Sequence, residues 1–132
     1  MKNRAFGSVL FILSALVIVV PRYILPVCEF VLPGHEHAVC SFMYKAEAAV
    51  GVVAMALSAA MFFSKTADAL RWLAFAAFFA GGTVIAAPGF VGYCQSPRMP
   101  CHYGAVPGLK LVGGLIALVS AAGFLAAGRK KA

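Results

Sequence analysis

The residues of this chain best equipped for chemistry are its four cysteines and three histidines, and they gather in two short stretches. The first reads Cys28-Glu-Phe-Val-Leu-Pro-Gly-His35-Glu-His37-Ala-Val-Cys40, the second Cys94-Gln-Ser-Pro-Arg-Met99-Pro-Cys101-His102. Three chemistries compete for them. An even number of thiols suits disulfides, and four cysteines allow three connectivities. Pairing within each stretch, Cys28–Cys40 and Cys94–Cys101, is the simplest; pairing across the stretches is the alternative. Metal binding is the second chemistry. His35, His37 and His102 join the thiols as ligands for zinc or copper, and the Met99 thioether suits Cu(I). The spacings fit no standard zinc finger. Thiol–disulfide exchange is the third. It calls for a resolving thiol close to the attacking one, as in Cys-x-x-Cys, and that spacing does not occur here. A nucleophilic cysteine needs an oriented base, and His102 beside Cys101 has no evident third residue to orient it. The sequence therefore contains no complete catalytic motif and names no catalytic residue.

The elements that position these stretches follow from composition. Of 132 residues, 63% are hydrophobic and 11% charged, against about 45–50% and about 25% in soluble domains. A soluble core of this size cannot hide so much apolar surface, whereas a lipid bilayer has no need to hide it. The chain is expected to be an integral membrane protein. A soluble enzyme, a disordered tail and a nucleic-acid-binding domain are excluded; the positive charge forms no contiguous basic face. Crossing about 30 Å of hydrocarbon takes roughly 20 apolar residues. Four stretches qualify, at about 5–25, 44–63, 70–91 and 107–127. The expected fold is a single all-α domain over 1–132: an antiparallel four-helix membrane bundle with two extracytoplasmic cysteine-containing loops.

Charge sets the expected orientation. Lys2 and Arg4 precede the first span, Lys65 and Arg71 flank the second turn, and Arg129, Lys130 and Lys131 follow the last span. The positive-inside rule then places both termini and the middle turn in the cytoplasm. The first span is read as retained, because no A-x-A cleavage site follows it. Both cysteine stretches fall on the outer side, where thiols oxidise; this favours a disulfide-braced cap.

Inside lipid, helices meet where small residues let backbones approach. The second span offers Ala49, Gly51, Ala56 and Ala60. The third offers Ala76, Ala77, Ala80 and Gly81, and the fourth Gly113, Ala117 and Ala121. The first is bulkier and is expected at the periphery. Glu47 and Lys110 each lie about one turn inside the outer end of a span. Intramembrane charges are costly and usually paired or functional. An ion pair between the two is expected, with snorkelling to the interface as the alternative.

At its outer motifs the chain resembles a bacterial family of small four-span membrane proteins known as domain of unknown function 4418. The residues that carry the resemblance are Cys28, Cys40 with Phe42, Met43 and Glu47 behind it, Cys94, and Met99-Pro100-Cys101-His102 leading through Pro107. Members are similar in setting to accessory proteins encoded beside MacB-like ABC transporter permeases. The resemblance thus implies a bacterial cytoplasmic (inner) membrane setting, a transporter permease as partner and no known catalytic residues. The expected function is non-enzymatic, with no cofactor: a polytopic membrane protein whose braced outer cap contacts a partner, the lipid bilayer and a possible homo-oligomer completing its contacts. The alternative is extracytoplasmic thiol–disulfide or zinc or copper handling.

Overall fold

The computed structural model describes residues 2–20, 23, 36–91 and 106–129. They form four helices, α1 (Lys2–Val19), α2 (Glu36–Phe63), α3 (Ala67–Val91) and α4 (Val106–Arg129). Three carry stretches long and apolar enough to cross a bilayer: Lys45–Phe63, Ala67–Phe90 and Val106–Arg129. Only 28%, 33% and 33% of these stretches is buried, so most of their apolar surface faces outward. That division suits hydrocarbon and would be untenable in water. The described part of the first apolar helix, Arg4–Val19, is shorter; the remainder of the stretch expected to reach residue 25 lies largely outside the described residues.

The helices form an all-α bundle in which each packs on the next and α1 closes the ring against α4. Pairs α1/α3 and α2/α4 are the diagonals. Every neighbouring pair runs antiparallel. Thr66 caps α3 through its carbonyl, which accepts the Leu70 N–H at 3.1 Å, and Asp68 stands in the first turn, where the helix dipole favours an acid. At the end of α2, the Ser64 N–H donates to the Ala60 carbonyl at 2.9 Å and its hydroxyl to the Met61 carbonyl at 3.0 Å. These bonds make the α2–α3 turn only three residues long.

Small residues set the spacing. Gly81 and Gly113 face each other across α3 and α4. A Cβ at Gly81 would lie 2.9 Å from the Gly113 carbonyl oxygen, and one at Gly113 would lie 3.0 Å from that of Gly81. Between α1 and α2, a Cβ at Gly51 would lie 2.7 Å from the Ile18 side chain, and one at Gly7 3.3 Å from Ser58 and Phe62 backbone atoms.

Three expectations need correcting. The helix carrying the 44–63 span begins at Glu36, so the backbone at His37 and Cys40 is helical and not part of a loop. Pro33-Gly34 precedes it and Glu36 opens it, a sequence that suits a helix start. Next, α1 is a full corner of the bundle and not peripheral: Leu10, Ser14 and Val17 are fully buried, because Gly7 and Gly51 let it approach α2. Last, Ala49, Ala56 and Ala60 lie on the exposed face of α2.

Candidate functional site

The inward face of α2 is written at a spacing of three and four: Met43, Glu47, Gly51, Ala54, Ser58 and Met61 are all buried. Glu47 therefore points inward because it occupies a core position, one turn from Met43 and one from Gly51. It is fully enclosed, at 0% exposure. Neither carboxylate oxygen has a hydrogen-bond partner among the described residues. Lys45, two residues earlier, is turned to the exposed face.

The structure does not bring Glu47 and Lys110 together. Lys110 is exposed on α4, beside the fully buried Leu109. Since α2 and α4 are diagonal in the ring, equal depth does not make these two residues neighbours.

What stands level with Glu47 can be counted from the α2–α3 turn. Glu47 lies 16 residues before the end of α2 at Phe63, and Thr83 lies 16 residues after the start of α3 at Ala67. The Thr83 hydroxyl donates to its own helix, to the Phe79 carbonyl at 2.9 Å, and the residue is exposed. The inward residue at this level is Val84, and one turn beyond it the helix contains a buried proline, Pro88. Proline has no N–H, so the Val84 carbonyl lacks the donor that a regular helix would give it. By this count, and among the described residues, the level holds the two Glu47 oxygens and a freed carbonyl, all of them acceptors. Val17, Val84, Leu109 and Val112 belong to the buried apolar cluster of the bundle.

The other enclosed polar groups are serines. Ser14 and Ser58 donate to the carbonyls of Leu10 and Ala54, each at 2.7 Å, while the Ser120 hydroxyl has no partner among the described residues. A groove of about 320 Å³ also opens between α1 and α2, lined by Gly7, Phe11, Ile12, Ser58 and Phe62 among others. Its walls are almost wholly apolar and suit an acyl chain better than a polar substrate.

Of the residues singled out for disulfide or metal chemistry, Cys28, His35, Cys94, Met99, Cys101 and His102 lie outside the described residues. His37 and Cys40 fall on the α2 backbone three positions apart, which places them on one helix face. No group of three or more His, Cys, Asp or Glu is assembled among the described residues. The enclosed, acceptor-only setting of Glu47 was missed in the sequence, although Pro88 and the core spacing of α2 were signals for it.

Comparison with curated proteins and with solved structures finds no match. A family model described as a domain of unknown function (DUF4418) matches residues 10–125. That range takes in most of every helix and both cysteine stretches, and the chain belongs to the DUF4418 family.

Proposed function

We propose that the chain is a non-enzymatic membrane subunit whose bundle carries a cysteine-bearing cap beyond the hydrocarbon, for contact with a partner. The observation that supports this is the length of α2. The helix has 28 residues, Glu36–Phe63, and at 1.5 Å per residue runs about 42 Å, longer than about 30 Å of hydrocarbon. The leading stretch Glu36–Tyr44 adds about 13 Å at 1.5 Å per residue. It places the backbone of His37 and Cys40 on a continuous helix at that end. In this reading the stretch is extracytoplasmic, Cys28 pairs with Cys40 and Cys94 with Cys101, and the cap offers a fixed surface. The family resemblance supports an ABC transporter permease as the partner, in a bacterial inner membrane.

The experiment is thiol mapping of protein purified without reductant. The expected result is no maleimide reaction before dithiothreitol is added, and peptides linking Cys28 to Cys40 and Cys94 to Cys101. Cross-linking in native membranes should then recover a permease. Free thiols carrying stoichiometric zinc or copper would replace this reading with metal handling. That second reading is supported by the sequence, where His37 and Cys40 stand three residues apart within α2.

A further inference from the structure

Glu47 is the one ionisable side chain buried among the described residues, and the cost of enclosing it has to be met by something. An ionised carboxylate enclosed in apolar surroundings without a partner is penalised far beyond what a marginally stable fold tolerates. No other charged side chain among the described residues relieves it. On α1, Arg4 lies at the opposite end, and Tyr23 is exposed beyond the last full turn. On α3, Asp68 and Arg71 stand in the first turns, at the far end from Val84. Lys45 on α2 itself and Lys110 on α4 are both exposed, and Arg129 ends α4 at the far end.

Two ligands could neutralise the group: a metal cation or a proton. Hard cations take about six or more oxygen ligands. Among the described residues, the level of Glu47 supplies its own two oxygens and, by count along α3, the carbonyl of Val84. That described set falls short of a cation's shell. It suits a proton, because a protonated carboxyl becomes a donor and the Val84 carbonyl is an acceptor left without one.

We propose that Glu47 is a proton-binding site enclosed in the bundle, with the Pro88-freed carbonyl of Val84 as the acceptor for its O–H. Parting of α2 and α3 at this level admits water. The carboxyl O–H bond then breaks, the proton passes to water, and a solvated carboxylate remains. Closing again requires the proton to return. The closed bundle binds one more proton than the opened one, so rising pH favours opening. This inference is independent of the cysteine cap, since it uses no residue outside the described helices.

The test uses the full chain with Glu29→Gln and Glu36→Gln, which leaves Glu47 as the one glutamate. With isotope-labelled glutamate, infrared spectra of the protein in phosphatidylcholine vesicles at neutral pH should show the carbonyl stretch of a protonated, hydrogen-bonded carboxyl. The equilibrium constant for unfolding in mixed micelles should rise with pH, by at most about tenfold per unit for one proton. Glu47→Gln, a neutral isostere, should fold and lose that dependence. A carboxylate spectrum at neutral pH would overturn the proposal. So would stability that follows sodium concentration at fixed ionic strength and ignores pH. Should Glu47→Gln fail to fold, the labelled spectrum decides alone.

Discussion

A methyl group added at Gly81 would meet the Ala117 nitrogen and the Gly113 carbonyl oxygen at 2.9 Å each. Both are backbone atoms of a packed helix, which cannot rotate away as a side-chain tip would. Gly81→Ala should therefore push α3 off α4 and cost about 1–3 kcal/mol, the usual range for overpacking. One position along, a methyl added at Gly82 would find nothing within 4 Å. Gly82→Ala should cost nothing, or add the few tenths of a kcal/mol or more that alanine brings to a helix. Denaturation in mixed detergent micelles, run on both variants, separates the two outcomes; equal losses would mean that the Gly81–Gly113 contact does not hold the pair. Gly81 and Gly113 are legible in the sequence as small residues on candidate stripes. So are Ala56 and Ala60, which turn out to face outward. Spacing alone identifies a smooth stripe on a helix but not which of its faces meets another helix. Glu47 was half legible for a related reason. Its depth follows from counting, but its neighbours depend on the order of helices round the ring, which hydropathy does not encode.

At the scale of elements, the hydropathy pattern locates α3 and α4 to within one turn, because the apolar stretch and the helix end together there. In α2 they do not. The helix begins at Glu36, eight residues ahead of the expected span start at Tyr44. The helix opens on Glu36 and His37, and a span counted at roughly 20 residues does not need its leading turns, so a reading by span length starts the helix too late. The two parts of α2 should behave differently, although the backbone is continuous. Hydrogen exchange followed by mass spectrometry, on protein in lipid nanodiscs, should show amides over 37–44 exchanging well before those over 50–60. The first part meets water, while the second lies where water is scarce and its hydrogen bonds have no competitor. Equal protection along the whole helix would place residues 36–44 inside hydrocarbon and remove the protruding cap.

At the scale of the whole molecule, the net charge of +7 is distributed unevenly over the two ends of the bundle. The end formed by the start of α1, the α2–α3 turn and the end of α4 carries Arg4, Lys65, Arg71 and Arg129, all exposed. Two of them are held against aromatic rings: the Arg4 guanidinium lies 5.6 Å from the Phe62 ring centre, and that of Arg71 4.8 Å from Phe124. Such contacts keep the charge at the rim while the stem covers apolar surface. Exposed Lys45 and Lys110 are the positive residues described toward the other end. The positive-inside rule predicts from this asymmetry that the arginine-rich end faces the cytoplasm. A reporter active only in the cytoplasm, fused after Ala132, should then be active. A reporter active only outside should work when inserted between Pro33 and Gly34, ahead of α2, so that the helix itself is not interrupted. The reverse pair of results would place the cysteines in a reducing compartment. The thiols would then stay free, the disulfide-braced cap would lose its physical basis, and metal ligation by Cys40 and His37 would become the chemistry to pursue.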